Sequence, residues 1–309
     1  MSHTDTPVDL PKRAWWGALK RTFREFMDDK LLDWAAALTY YSILSLFPAL
    51  VVLISAVGLI GESVTRPLLE NLQQLAPGQA REVLVNVVRE LEGSSGVAGP
   101  VALLGLLSAV WASSGYIGGF IRASNAIYEI DEGRPIWKTI PLRIVLTLTM
   151  VILLAITVLG VVLTGGVAEW LGDTLGLGST FVTVWDIAKW PMLAALMSLA
   201  IALLFWASPN VRHPGFRWLT PGSVLAVLVW VAASAGFALY VANFASYNKV
   251  YGSLAGVVVF LIWLWLSNLA VLFGAEFDAE LAREREISEG HPEEEEPFLE
   301  PRDTRAMDS

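Results

Sequence analysis

The sequence predicts an all-α, polytopic membrane protein with six transmembrane helices, an N-terminal interfacial amphipathic helix and short extracytoplasmic helices. Three observations predict this class. The chain is 55% hydrophobic and 17% charged, whereas soluble domains are about 25% charged. Its mean hydropathy is +0.55. Its apolar residues are gathered in six charge-poor runs, each long enough to cross a hydrocarbon core of ~30 Å.

Each apolar run is a predicted membrane span. The six runs are residues 35–60, 98–121, 142–164, 184–206, 222–242 and 254–273. We therefore divide the chain into an N-terminal cytoplasmic segment (1–33), a six-helix transmembrane domain (34–276) and an acidic cytoplasmic tail (277–309).

Positive charge sets the predicted orientation. Lys and Arg are concentrated in the N-terminal segment and in alternate connections between the runs. Because cytoplasmic segments carry an excess of these residues, both termini are expected in the cytoplasm. No cleavable signal peptide is visible ahead of the first run, so the first span is expected to be its own insertion signal.

The segment before the first run has the spacing of an amphipathic helix. Trp16, Leu19, Phe23 and Phe26 recur at helical intervals, and basic residues occupy other faces. This pattern predicts a helix in the cytoplasmic membrane interface, with a soluble regulatory helix as the alternative. In the first outer loop, residues 62–96, helical periodicity interrupted by a Pro-Gly turn predicts two short amphipathic helices.

All the net charge lies at the C-terminal end. Residues 276–309 contain 13 Asp+Glu against 4 Lys+Arg, and so carry the net charge of −9 of the whole chain. Large apolar residues are few after Ile287, which is typical of disorder. We expect a largely disordered tail and, without a basic patch, no binding of nucleic acid.

Hydroxyls and a proline lie together in the first predicted span. Tyr41, Ser42, Ser45 and Pro48 fall within about 120° of one another around an α-helix. Because Pro48 removes a backbone donor, a carbonyl one turn earlier needs another partner. This stripe indicates either a hydrated, solute-lining face or ordinary helix packing, in which such hydroxyls contribute ~0.6 kcal/mol each.

Few ionisable residues lie near membrane depth, where each is a functional candidate because its insertion costs ~2.5–3.5 kcal/mol. Asp186 and Lys189, near the outer end of the fourth run, could form an ion pair or belong to an interfacial aromatic belt. Asn268 and Glu276 are spaced to share one face of the last helix. Glu276 could also be solvated at the cytoplasmic end.

The residues of common catalytic sites are missing or scattered. The chain has no cysteine and 3 histidines, which are far apart in sequence. Thiolate nucleophiles, disulfides and thiolate metal sites are thereby excluded. No G-x-S-x-G elbow and no cluster of His, Asp and Glu ligands is visible. We expect no enzyme activity, no metal and no cofactor.

Four stretches carry a resemblance to a known family. They are AAALTYYSILSLFPAL, NAIYEIDEGRPIWK, LTPGSVLAVLVW and YNKVYGSLAGVVVFLIWLWLSNLAVLFGAEFDAEL. These stretches resemble the YihY/BrkB family of bacterial multi-pass membrane proteins, and the resemblance covers about residues 20–282. It implies a six-helix inner-membrane protein with cytoplasmic termini. Asn125, Tyr128, Tyr251 and Gly252 match the family pattern and join the candidate pathway or packing residues.

An old label calls some members of that family ribonucleases. RNA hydrolysis by bound metal needs clustered ligands and a cationic groove, and this sequence has neither. Our first hypothesis is therefore a carrier or flippase-like protein that moves an amphipathic, lipid-like envelope component. The alternative is a non-enzymatic envelope scaffold that recruits protein partners through its outer helices or acidic tail. Membrane lipids are partners in either case, and the oligomeric state stays open.

Overall fold

The computed structural model describes residues 12–58, 99–162, 178–213, 219–243, 253–292 and 297–307. Within these ranges the chain forms seven helices and no strand. The helices are α1 (Lys12–Asp28), α2 (Leu31–Gly58), α3 (Gly99–Ile127), α4 (Ile136–Val162), α5 (Gly178–Ala207), α6 (Pro221–Asn243) and α7 (Ser253–Ser288). The predicted all-α class is confirmed for this part of the chain.

Four helices in the described ranges are long and apolar enough to cross a membrane. These candidate spans are Ile136–Thr157, Thr183–Ala207, Pro221–Asn243 and Gly256–Ser288, and they correspond to the third to sixth predicted runs. The first and second runs lie on α2 and α3, where many side chains fall outside the description. The two short helices expected in 62–96 also lie outside it. The count of six spans therefore stays a prediction.

The chain divides into two compact units, which are described separately. One comprises Met1–Ile43, Tyr116–Leu142 and Ser198–Ser309, and the other comprises Leu44–Gly115 and Arg143–Met197. Three complete helices of the first unit, α1, α6 and α7, pack together in pairs, with α7 against each of the other two. Most of the candidate site residues lie in this unit.

Two glycines let α6 and α7 approach closely. A Cβ at Gly222 would lie 2.1 Å from the carbonyl oxygen of Gly274, and a Cβ at Gly274 would lie 2.4 Å from the carbonyl oxygen of Gly222. The Gly222 amide donates to Asp278 Oδ1 at 2.7 Å, which satisfies a donor in the first turn of α6. Small residues at this crossing therefore replace side-chain packing with backbone contact.

Farther along the same helix pair, two tryptophans each bond to a serine of the opposite helix. Trp230 Nε1 donates to Ser267 Oγ at 3.0 Å, and Trp263 Nε1 donates to Ser234 Oγ at 3.2 Å. The two rings lie edge to face with centroids 6.2 Å apart. Because an unpaired indole N–H is costly in an apolar medium, these bonds favour one register of α6 on α7.

Helix α1 packs against the second half of α7. Ala14, Ala18, Phe277 and Leu281 form a buried cluster, and Trp15 packs against it. Arg21 Nε donates to Glu280 Oε2 at 2.6 Å, and Arg21 also pairs with Glu284. The packed face is therefore built on small alanines with Leu19 beside them, whereas Trp16 and Phe23, which the spacing assigned to the membrane interface, are exposed.

Residues 297–307 of the acidic tail pack onto the connection that follows α5. Phe298 is buried, and Arg302 donates to the carbonyl oxygens of Val211 at 3.2 Å and Trp206 at 3.1 Å. Asn210 Nδ2 donates to the carbonyl oxygen of Asp303 at 2.8 Å. Composition alone predicted a largely disordered tail, but an aromatic ring, a guanidinium and exposed backbone carbonyls give these residues defined partners.

The tail segment also lies directly on Gly133, in the connection between α3 and α4. A Cβ at Gly133 would lie 1.9 Å from the carbonyl oxygen of Asp303. The amide of Ala306 donates to the Gly133 carbonyl oxygen at 2.9 Å. Only glycine leaves room for this backbone approach.

In the second unit, α3 and α4 are joined by an arginine that lies within the candidate span Ile136–Thr157. Arg143 Nη2 donates to Ser114 Oγ at 3.0 Å, and its Nε donates to the Ser114 carbonyl oxygen at 3.3 Å. Its guanidinium lies 5.7 Å from the centre of the Trp111 ring. Ala109 and Val151 form a small apolar cluster between the same helices.

Candidate functional site

Glu276 is a buried carboxyl on α7. Glu276 is 1% exposed, and its Oε2 atom has no hydrogen-bond partner among the described residues. The carboxylates of Asp29, Glu280, Glu25 and Glu129 act on it electrostatically. The burial is inconsistent with the alternative that Glu276 is simply solvated. An ionisable group buried in a candidate membrane span is costly, and such groups mark positions where a membrane protein interacts with polar solutes or ions.

Asn268, on the same helix, links three helices. Tyr116 Oη of α3 donates to Asn268 Oδ1 at 3.0 Å, and Asn268 Nδ2 donates to Thr39 Oγ1 of α2 at 3.2 Å. Thr39 Oγ1 in turn donates to the Ala35 carbonyl oxygen at 2.7 Å. Asn268 and Glu276 are both buried. The amide therefore has a structural role that its spacing from Glu276 did not reveal.

Tyr41 lies under a cation from α3. Arg122 Nη2 donates to Tyr41 Oη at 3.0 Å, and the guanidinium lies 5.5 Å from the centre of the tyrosine ring. Gly119 makes room for this ring, since a Cβ there would lie 2.8 Å from Tyr41 Cδ2. The bond is exposed, so the pair presents a cation and a hydroxyl at the surface of the first unit.

The two serines of the stripe donate to backbone carbonyls. Ser42 Oγ donates to the Leu38 carbonyl oxygen at 2.8 Å, within its own helix. Ser45 is buried, and its Oγ donates to the Ser113 carbonyl oxygen at 3.3 Å. Pro48 lies inside α2, and its side chain falls outside the description. For the two serines these contacts favour helix packing over a hydrated face.

Asn125 and its neighbours form a buried polar network near the end of α3. Asn125 Nδ2 donates to Glu132 Oε2 at 3.0 Å, and its Oδ1 accepts from the Asn210 amide at 2.8 Å. Arg134 donates from Nε and Nη2 to the two oxygens of Glu132. Its Nη2 also donates to the Ser208 carbonyl oxygen at 2.7 Å. Asn125 therefore bonds to two connections of the chain, through Glu132 and Asn210.

Tyr128 is buried between two rings of the first unit. Its ring lies edge to face with His213, at a centroid distance of 5.6 Å, and 5.9 Å from the ring of Phe298. Burial raises the pKa of the Tyr128 hydroxyl well above its usual value, and the carboxylates of Asp278 and Glu276 add to the rise. Tyr128 is thus a neutral packing residue that ties the tail to the end of α3.

The pKa of His213 is shifted in the opposite direction from that of Tyr128. Burial and, to a smaller extent, the positive charge of Arg302 lower the pKa of His213 to about 4. Its Nε2 atom has no hydrogen-bond partner in the described ranges. The imidazole is therefore neutral at physiological pH, because nothing compensates a buried imidazolium here.

Asp303, in the tail, is a carboxylate that bonds to two cations. It accepts from Arg305 Nη2 at 2.7 Å and from Lys138 Nζ at 2.7 Å. The hydrogen bond from Arg305, followed by that from Lys138, lowers the pKa of the Asp303 carboxyl well below its usual range. This cluster joins the start of α4 to the tail.

Three of the remaining candidates have no described side-chain contacts. Tyr251 and Gly252 lie outside the described residues, as does the side chain of Asp186. Lys189 Nζ lies 5.7 Å from the centre of the Trp190 ring, a contact expected of an interfacial aromatic belt. The ion pair between Asp186 and Lys189 stays a prediction.

Several residues of these clusters escaped the sequence reasoning. Tyr116, Asn210 and Asp303 were not singled out, because nothing in a single sequence marks Asn268 as a partner of Tyr116, Asp303 as a partner of Asn210 or Lys138 as a partner of Asp303, at separations of 152, 93 and 165 residues. Arg143 was visible as a cation inside the third apolar run, and insertion cost alone could have marked it. The described residues contain no group of three or more His, Cys, Asp or Glu side chains that could hold a metal ion.

The helices and their buried polar contacts define the class of the molecule, a polytopic α-helical membrane protein. The profile of the family described as Virulence factor BrkB matches residues 22–298, which is most of the chain. The chain therefore belongs to this family, and the resemblance found in the sequence is confirmed.

Curated relatives agree with this assignment. The chain is 26% identical over 274 residues to the ribonuclease-like protein YfkH of Bacillus subtilis, which covers 89% of this chain and 98% of that protein. It is 31% identical over 258 residues to a UPF0761 membrane protein of Alteromonas mediterranea, covering 82% of this chain and 84% of that one.

A UPF0761 membrane protein of Alkalilimnicola ehrlichii is 30% identical over 273 residues, or 83% of this chain. The match spans only 56% of that relative's length, so the relative contains a large part with no counterpart in the match. No solved structure matches the chain. The names of the two UPF0761 relatives describe membrane proteins, whereas YfkH is named as ribonuclease-like.

Proposed function

We propose that this protein is an inner-membrane carrier, flippase-like in action, that moves an amphipathic, lipid-like envelope component. The supporting observation is Glu276, a carboxyl that is 1% exposed on a candidate span and whose Oε2 atom is unpartnered in the described ranges. Such groups cost ~2.5–3.5 kcal/mol on insertion scales and commonly mark solute or ion pathways. A path beside α7 would handle the polar part of the substrate while its apolar part stays in lipid.

The Arg122 and Tyr41 pair supports an anionic head group. A guanidinium presents several donors to phosphate or carboxylate oxygens, and a phenol adds one more. Because the bond between the two side chains is exposed, a head group at the lipid surface can reach them. The substrate class we infer is therefore a lipid with an anionic polar part.

The topology that goes with this function has six spans, with both termini in the cytoplasm of a bacterial cell and the spans in its inner membrane. Four apolar helices and the family membership support it. Reporter fusions after the tail and in the loop 62–96 test it. Reporters active on the same side of the membrane would refute this topology.

Lipid movement in reconstituted vesicles tests the carrier. Vesicles that contain the purified protein and a fluorescent anionic lipid are exposed to dithionite, which bleaches only the outer leaflet. We expect faster loss of inner-leaflet fluorescence than in protein-free vesicles. Glu276→Gln should slow this loss several-fold, whereas Glu289→Gln, the same change at an exposed position directly after α7, should not.

Equal rates with and without folded wild-type protein would refute the carrier and leave the scaffold as the better function. One observation favours that alternative, because Ser42 and Ser45 donate to backbone carbonyls, as static helix packing requires. A scaffold would recruit partners through the loop 62–96 or through the acidic tail. Loss of a co-purified partner on deletion of residues 293–296, with lipid movement absent throughout, would establish it.

A further inference from the structure

Helix α1 has a second face that α7 leaves largely exposed, although the Phe23 ring also contacts Phe273 of α7 at a centroid distance of 5.1 Å. Trp16, Phe23 and Met27 are 71%, 62% and 60% exposed. Their spacing of seven and four residues places them within about 40° of one another around the helix. A stripe of large apolar side chains therefore runs along α1 on the side away from its buried alanines.

The contacts with α7 fix the rotation of α1 about its axis, and this rotation leaves Trp16, Phe23 and Met27 exposed. Ala18 and Thr22 are fully buried on the packed face, and Phe26 lies 5.8 Å from Phe273 in an edge-to-face contact. The ion pairs of Arg21 hold the helix at its middle. Turning the stripe inward would break these contacts together.

Cations flank the exposed stripe. Arg13, Lys20 and Arg24 are exposed, and their positions place them within about 40–80° of Trp16 around the helix. Arg24 also donates to Glu25 Oε1 at 2.6 Å. An apolar stripe bordered by basic residues is the pattern of a helix that lies in an anionic membrane surface.

The turn after α1 joins it directly to a predicted membrane span. Lys30 has φ +54°, a left-handed conformation, and only Asp29 and Lys30 separate the end of α1 from the start of α2 at Leu31. The Lys30 amide donates to the Met27 carbonyl oxygen at 3.2 Å. Because this connection is short and hydrogen-bonded, α1 stays beside the end of α2.

From the largely exposed stripe, its basic border and this tether, we propose that α1 docks its Trp16, Phe23 and Met27 face into a lipid surface that carries anionic head groups. The docking holds α1 as a fixed interfacial anchor beside α7, and it does not depend on the proposed transport. Charge complementarity supports the lipid as the occupant, because the exposed cations Arg13, Lys20 and Arg24 match anionic head groups while the large apolar side chains beside them enter the lipid.

Fluorescent labelling of the cysteine-free, full-length chain tests this docking. Met27→Cys is labelled with an environment-sensitive dye, and Asp28→Cys, exposed on another face of the same helix, is the matched control. Both proteins are placed in nanodiscs of phosphatidylcholine alone or with phosphatidylglycerol. We expect a blue-shifted emission and several-fold weaker iodide quenching at position 27 than at position 28, with the difference larger in phosphatidylglycerol.

The charge contribution is tested by Arg13→Gln with Lys20→Gln in the Met27→Cys background. This double change should remove the extra protection given by phosphatidylglycerol and leave the protection in phosphatidylcholine unchanged. Equal iodide quenching at positions 27 and 28 in both nanodiscs would overturn the proposal. So would protection that persists in detergent together with cross-linking between copies, because the occupant would then be a second chain.

Discussion

The glycine contact between α6 and α7 gives the sharpest test of the fold. We predict that Gly222→Ala will strongly destabilise the protein. The new Cβ would lie 2.1 Å from the Gly274 carbonyl oxygen, whereas such carbon–oxygen contacts lie at ~3.3 Å or more. The helices must therefore separate by about 1.2 Å at this point.

This separation has an energetic cost that the structure allows us to approximate. Overpacking costs ~1–3 kcal/mol. Separation also stretches the 2.7 Å bond from the Gly222 amide to Asp278 Oδ1, and a hydrogen bond to a charged group contributes ~1.5–3 kcal/mol. We expect a loss on the order of 3 kcal/mol, since the bond weakens without breaking fully.

Gly236 and Gly256 provide matched controls on the same two helices. A Cβ at either position would meet nothing within 4 Å. Because alanine favours helix over glycine by ~0.5–1 kcal/mol, these two changes should leave stability unchanged or raise it. The assay is thermal unfolding in detergent followed by tryptophan fluorescence. A Gly222→Ala protein as stable as Gly256→Ala would refute the close helix contact.

Three further predictions concern His213, the tail residues 297–307 and the hydroxyl stripe of α2 to which Ser45 belongs. Because the pKa of His213 is lowered to about 4, its neutral form stabilises the fold fully above pH ~6.5 and progressively less as the pH falls toward 4; His213→Gln should flatten this part of a plot of melting temperature against pH. Asn210→Ala removes the bond to the Asp303 carbonyl oxygen and should make residues 297–307 cleavable by protease at a several-fold lower dose, with an unchanged pattern elsewhere as the control. Cysteine at Ser45, which is buried, should resist a water-soluble maleimide that labels cysteine at the exposed Thr304; rapid labelling at both would restore the hydrated face.

The α-helical membrane class could be predicted from the sequence because burial in lipid leaves a signal in every apolar run. The helix α1 was also predictable from its spacing, but the residues through which it contacts α7 were not. Ala14 and Ala18 carry little hydrophobic signal, and they pack because small side chains let α1 approach α7. The large Trp16 and Phe23, which dominated the pattern, remain exposed.

Tertiary partners explain why the site was predicted only in part. Glu276 and Asn268 were found because polar groups stand out in an apolar helix. The burial of Glu276 depends on elements distant in sequence, so composition could not decide between a solvated and an enclosed carboxyl. The tail was misread for the same reason, since an acidic average conceals a few residues, Phe298 and Arg302 among them, that have specific partners.

The contacts of Asp303 with Asn210 and Gly133 constrain the order in which parts of the protein can fold during synthesis. Asn210 leaves the ribosome 93 residues before Asp303, and α6 and α7 are synthesised in between. While these helices are being inserted, the Asn210 side chain lacks its hydrogen bond to Asp303, and the tail does not yet contact Gly133. These two connections therefore acquire their final shape only after the last described candidate span has been synthesised, which makes their closing a late step of biogenesis.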